Sequence, residues 1–155
     1  MKKHLLQTAA AVLVLGIAFV CATSAQSVSG SLGTVHKGTA ARGTVYLSLP
    51  GGTHANSNRP GSEYQIPTVV RVTPPRGVIV GRVSYPAGRN RKFAFSETPI
   101  NVYEGRVPFT FTVKVPASYK GETVRITASV RYQACTDEVC YAPKTKTVTL
   151  TANVQ

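Results

Sequence analysis

The sequence predicts an all-β protein, an antiparallel β-sandwich. Three observations carry this: segments that alternate apolar and polar residues with period two, runs rich in valine and threonine, and Gly/Pro punctuation between them. No strong helical periodicity follows residue 25, and there is no internal repeat. Gly43-Thr-Val-Tyr-Leu-Ser-Leu49 alternates as a half-buried strand does. Residues 50–61 read as a long turn-rich loop, in which His54 is expected to be exposed. Residues 68–73 are β-branched and are stopped by Pro74, Pro75 and Gly77. Residues 78–85 form the next strand, which Pro86 and Gly88 end. Residues 89–99 are polar and basic but carry Phe93 and Phe95. Residues 107–115 alternate clearly. So do residues 123–132, with Val124, Ile126, Ala128, Val130 and Tyr132 on one face, and residues 145–151 supply the last strand. Lys114 and Lys146 are placed to guard exposed edges.

The N-terminus reads as a secretory signal over residues 1–25. Lys2, Lys3 and His4 make a basic start, residues 5–20 are apolar apart from Gln7 and Thr8, and Thr23, Ser24 and Ala25 are small enough for a cleavage site. A lipid-anchored alternative would use Cys21, but Val20 before it is too large for the usual pattern. The apolar stretch is short for a spanning helix, and no later segment suits one. Residues 26–37 are Ser/Gly-rich and read as a flexible leader to a domain over 38–155. Cleavage would leave about 130 residues, the size of one domain. The protein is therefore expected in the periplasm or secreted, without membrane insertion after cleavage.

The chain carries 18 Lys and Arg against 6 Asp and Glu, a net +12; losing Lys2 and Lys3 leaves 16 against 6, or +10. Such a balance favours anionic surfaces. The basic residues are scattered apart from Arg89, Arg91 and Lys92, and nucleic acid is not expected as a partner of an exported protein.

Two thiols dominate the chemistry. Cys135 and Cys140 sit in the run Tyr132-Gln-Ala-Cys-Thr-Asp-Glu-Val-Cys-Tyr-Ala-Pro143. Cys135 follows one strand and Cys140 precedes the next, so Thr136-Asp-Glu-Val139 can close a hairpin and bring the two Cβ atoms within disulfide reach. Disulfides persist in an exported protein. A loop this short stabilises the fold by only about 2 kcal/mol in the chain-entropy estimate. That local placement favours reversible chemistry, while an inert structural disulfide stays open on spacing alone. Asp137 and Glu138 lie between the thiols and disfavour the thiolate, so a strong oxidant is not expected.

Other chemistries find little support. His36 and His54 have no motif spacing to the cysteines, and no metal or cofactor is predicted. No carboxylate pair stands out among six acids. No Gly-x-Ser-x-Gly nucleophile turn is present, and Gly30-Ser-Leu-Gly33 lacks the context of a phosphate loop.

The run from Tyr132 to Pro143, followed by Lys144-Thr-Lys-Thr-Val-Thr-Leu150, resembles the N-terminal domain family of DsbD thiol:disulfide interchange proteins. Ile66-Pro-Thr-Val69, Ser84-Tyr-Pro86 with Gly88, and Val102-Tyr-Glu-Gly-Arg-Val107 add to the resemblance, which spans roughly residues 38–150. It implies an immunoglobulin-like sandwich and a catalytic pair, Cys135 and Cys140, that shuttles between dithiol and disulfide. It also implies a membrane-embedded thiol reductant as donor, and periplasmic thioredoxin-like or disulfide-isomerase proteins as acceptors. A cap loop with an aromatic ring shields the pair in the family. Residues 89–99 lie in the matching place, with Phe93 or Phe95 as the ring. The family pattern has five residues between the cysteines and this sequence has four. The resemblance covers one domain of a longer architecture, so electrons are expected from a separate protein, and the module is expected to be a monomer. The rival reading is a non-catalytic immunoglobulin-like binding module with a structural disulfide, since a sandwich does not fix function.

Overall fold

The computed structural model describes residues 25–155. The signal segment predicted over 1–25, with Cys21, lies outside the described residues apart from Ala25. The strands in chain order are β1 (Ser27–Leu32), β2 (Ala40–Ser48), β3 (His54–Asn56), β4 (Val69–Thr73), β5 (Ile79–Val80), β6 (Arg89–Arg91), β7 (Ile100–Glu104), β8 (Arg106–Lys114), β9 (Thr123–Tyr132), β10 (Ala134–Cys135) and β11 (Lys144–Asn153). There is no helix among the described residues, and every pairing between these strands is antiparallel.

Two sheets form the sandwich, one in the order β1-β2-β8-β5 and one in the order β11-β9-β4. Their inner faces follow from period-two alternation. Val45 and Leu47 of β2, with Val107, Phe109, Phe111 and Val113 of β8, meet Val124, Ile126, Ala128, Val130 and Tyr132 of β9 in one core. Arg106, Thr112 and Lys114, and Arg125, Thr127 and Arg131, point outward from the same strands. The fold is the all-β immunoglobulin-like sandwich that the sequence predicts. Lys146 lies on β11, an edge strand, as expected. Lys114 does not guard an edge, because β8 runs between β2 and β5.

The segment expected as a flexible leader over 26–37 behaves otherwise. Ser27 to Leu32 pair along their length with β2, from Ser27 opposite Ser48 to Leu32 opposite Gly43. Backbone pairing, not burial, makes this strand: most of its side chains are exposed. Gly30 also lets β1 pass close to the other sheet, since a Cβ there would lie 3.1 Å from the Leu150 side chain.

A third sheet, β10-β3-β7-β6, caps one end. It grows from the other two, because β10 prolongs β9 through Gln133 and β7 turns into β8 at Gly105, whose φ of 66° suits glycine.

Gly43 of β2 faces Phe111 of β8 in register, and an added Cβ would strike the ring, 2.5 Å from Cζ. Phe111 is buried and has little room to turn. Gly43→Ala is therefore expected to destabilise the domain by about 1–3 kcal/mol through overpacking. Urea unfolding of the variant checks this, and an unchanged midpoint would contradict it.

Candidate functional site

Beyond Tyr132 the alternation of β9 continues, so Ala134 faces the main core and Cys135 faces the opposite side of the third sheet. The chain then turns back. Thr136 N–H donates to Val139 O at 2.8 Å and Tyr141 N–H to Ala134 O at 2.9 Å. Cys135 and Cys140 lie between these bonds, as a non-hydrogen-bonded pair in which side chains approach most closely. Their Cα atoms are 4.0 Å apart and the disulfide is formed. Thr136 Oγ1 holds the turn by accepting from Glu138 N–H at 3.2 Å and Val139 N–H at 3.1 Å. The two sulfur-bearing residues differ sharply in environment: Cys135 is 1% exposed, whereas Cys140 is exposed.

Strand pairing places a row of functional side chains beside this bond. Cys135 of β10 stands opposite His54 of β3, and His54 stands opposite Glu104 of β7. Residues directly opposite in antiparallel strands share a face. The row Glu104, His54, Cys135, Cys140 therefore runs across the outer face of the third sheet. The inner face carries Ala55, Tyr103 and Ala134 in the main core.

The outer face is largely solvent-exposed on β9, but here Phe93 of the 92–99 segment folds onto it. Phe93 is buried with Ile100 and Val102 in a small second core. Its ring stacks on His54 with centroids 4.5 Å apart, and Phe95 stacks on Phe93 at 5.1 Å while remaining 54% exposed. Ser96 N–H donates to Phe93 O at 3.1 Å, a tight turn that sends one phenylalanine in and the other out. Arg91 ties the parts together. It donates to Glu104 Oε1, lies 3.6 Å from Asp137 Oδ1 and sits over the Phe93 ring at 5.5 Å. Asp137 and Glu138 occupy the exposed tip of the hairpin.

His54 is the member of this row whose titration the surroundings alter. Burial lowers its pKa below the ordinary 6.5, and Arg91 acts in the same direction, while Asp137 and Glu104 oppose them. It is 3% exposed, contrary to the exposed loop position expected from the sequence. The reason is β3 itself. Three residues of the turn-rich segment pair with β7 on one side, two of them also pair with β10 on the other, and Phe93 stacks on His54. Glu104 and Arg91 were likewise not singled out by sequence reasoning, and only register could bring them to the cysteines. His36 is exposed.

The family model for the thiol:disulfide interchange protein DsbD, N-terminal, matches residues 32–152. The chain belongs to the DsbD N-terminal family. Its fold is similar to the N-terminal periplasmic domain of ScsB from Proteus mirabilis, at 15% identity and a TM-score of 0.50, with 79% of this chain and 44% of that chain covered. The N-terminal domain of Neisseria meningitidis DsbD in the reduced form aligns at 19% identity and a TM-score of 0.44, covering 73% of this chain and 82% of that one. No curated protein sequence matches the chain significantly. Membership of the DsbD N-terminal family supports a thiol–disulfide exchange module, and the chain carries the required cysteine pair. It also supports an extracytoplasmic location.

The buried histidine has a consequence for stability. Its folded pKa lies below the unfolded 6.5, so the unfolded chain binds a proton first as pH falls. Stability should decline as pH drops from about 6.5 through the lowered folded value, and level off below it. His54→Gln should lose this component of the pH dependence. Thermal midpoints across that range, with the disulfide intact, test it; an equal slope in both proteins would contradict it.

Proposed function

We propose that the protein is a periplasmic module that passes reducing equivalents to oxidised partner proteins through Cys135 and Cys140. The observation that carries this reading is the asymmetry of the pair: one sulfur-bearing residue exposed on a short hairpin, the other buried opposite His54. Cys140 is the residue a partner can reach. In the dithiol state its thiolate attacks a partner disulfide, a Cys140–partner bond forms, and the partner's second sulfur leaves with the electron pair. Cys135 then attacks Cys140 Sγ, closing the intramolecular bond and releasing the partner as a dithiol. Two electrons move and the module ends oxidised. A membrane-embedded thiol reductant restores it by the reverse sequence. The acceptors are thioredoxin-like or disulfide-isomerase proteins, and the signal segment over 1–25 directs export.

The loop over 92–99 acts as the shield, with Phe93 as its inner ring and Phe95 as its outer one. It keeps small thiols from Cys135 and leaves Cys140 to a partner that fits the exposed rim of Phe95, Val139 and Tyr141. Asp137 and Glu138 add negative charge at the hairpin tip, which disfavours premature ionisation of the thiols.

Cys135→Ala should trap a mixed disulfide with a thioredoxin-fold partner, and Cys140→Ala should not. Non-reducing electrophoresis with mass determination reads this, and the reverse pattern would sink the assignment of Cys140 as the attacking residue. The pair's reduction potential should lie above about −300 mV, where labile bonds fall. Reduction should leave the domain folded, because the bond contributes only about 2 kcal/mol. A lower potential together with unfolding on reduction would indicate the structural disulfide of a binding module instead.

A further inference from the structure

We propose that His54 is the proton-transfer residue of the exchange pair, with Glu104 as its positioning residue, because cross-strand register sets a carboxylate, an imidazole and two sulfur-bearing residues side by side in the row Glu104, His54, Cys135, Cys140. The proposal deepens the exchange reading above and rests on it.

Cys135 is 1% exposed and His54 is 3% exposed. A thiolate left on Cys135 when the disulfide opens would sit in an apolar environment that disfavours its charge. Water has little access to neutralise it, since both side chains are buried and Phe93 stacks on the imidazole. Cys135 thus needs a proton donor inside the site. His54 is its direct neighbour across the strands, and the group whose charge changes in the right pH range. Glu104, the next member of the row, favours the imidazolium from the side opposite Cys135. The charged groups acting on His54 are Asp137 from the hairpin, Arg91 from β6 and Glu104 from β7. The two acids favour the protonated ring, and Arg91 with burial favours the neutral one. Burial is the largest of these influences and the net direction is downward, so the imidazolium becomes more available as pH falls.

The steps balance. A thiolate of the reducing dithiol attacks Cys140 Sγ and forms a mixed disulfide. The Cys135–Cys140 bond breaks and its electron pair goes to Cys135 Sγ. The imidazolium of His54 transfers its proton there, leaving a Cys135 thiol and a neutral ring. The dithiol's second thiolate then attacks its own sulfur in the mixed disulfide. Cys140 leaves with the electron pair and takes a proton from water. The dithiol is oxidised and the module reduced. In the opposite direction neutral His54 takes the proton from the Cys135 thiol, and the thiolate attacks Cys140 Sγ.

The test is reduction of the oxidised protein by dithiothreitol, with the rate divided by the concentration of dithiothreitol thiolate at each pH. The native protein should show this normalised rate rising by about tenfold or more as pH falls from about 8 to about 5, the contribution of a general acid. His54→Gln should give a flat profile. Asp137→Asn, a change on the exposed turn that leaves the core untouched, should retain the rise but shift its midpoint to lower pH. Glu104→Gln should shift it the same way. A flat native profile, a rise that persists in His54→Gln, or an unmoved midpoint in Asp137→Asn would overturn the role of His54. A structural role alone would change the level or the melting temperature without removing the slope, and so would also overturn it. Failure of the exchange reading looks different: the native disulfide would resist dithiothreitol at every pH or open only with unfolding.

Discussion

The parity of β9 and its continuation is the constraint on which the site depends. The same alternation that sends Val124, Ile126, Ala128, Val130 and Tyr132 into the sandwich core carries Ala134 inward and leaves Cys135 on the outer face. A shift of one residue would bury the sulfur in the main core and turn Ala134 outward. With parity fixed, the observed register sets His54 of β3 opposite Cys135 and Glu104 of β7 opposite His54. The outer face of β9 is solvated at Arg125 and Arg131. At the third sheet this face is buried instead: Cys135 is 1% exposed, and Phe93 packs with Ile100 and Val102 and stacks on His54. Fold and site therefore share one strand, divided between its two faces.

Acidic residues gather at this end of the fold, beside the basic run Arg89, Arg91 and Lys92. Only 6 acidic residues face 18 Lys and Arg. Glu104, Asp137 and Glu138 nonetheless gather at the row or its hairpin, and Glu97 lies in the covering loop. Arg91 stands among them, bonded to Glu104, near Asp137 and over Phe93, so it links β7, the hairpin and the loop through one guanidinium. These contacts are partly solvated, and exposed ion pairs contribute little to stability, about 0–1 kcal/mol each. Their effect is to fix the loop against the hairpin and to set the field at His54.

Much of this was legible in the sequence, for a physical reason: long strands with one buried face write their pattern into the chain. The expected segments at 43–49, 68–73, 107–115, 123–132 and 145–151 match β2, β4, β8, β9 and β11, with ends shifted by a few residues, whereas the strand expected over 78–85 shrinks to Ile79–Val80 and a lone bridge at Ser84. The cysteine hairpin was legible because everything it needs is local. What escaped was structure made by distant pairing. The Ser/Gly composition of β1 gives no apolar signal, since its pairing with β2 uses the backbone. β3 is three residues inside a Gly/Pro-rich segment, too short to show a period, so His54 looked like an exposed loop histidine. Phe93 and Phe95 were indistinguishable by spacing. The turn closed by Ser96 N–H decides which of them is buried.

The placement of the bond also separates redox state from folding. The sandwich core lies in residues of β2, β8, β9 and their neighbours, and the disulfide does not join the two main sheets. Opening it removes a closure of six residues, a small loss beside burial of the core. The two partners are also held unequally. Cys135 belongs to a strand paired with β3, and its neighbour Ala134 is anchored in the core. Cys140 makes only an isolated bridge on the exposed arm of the hairpin. When the bond opens, the buried sulfur keeps its position beside His54 while the exposed arm is the part that can yield. A partner that takes Cys140 can therefore draw it outward without disturbing the residue that must later displace that partner, and the ladder that buries Cys135 also keeps it aimed for the return attack.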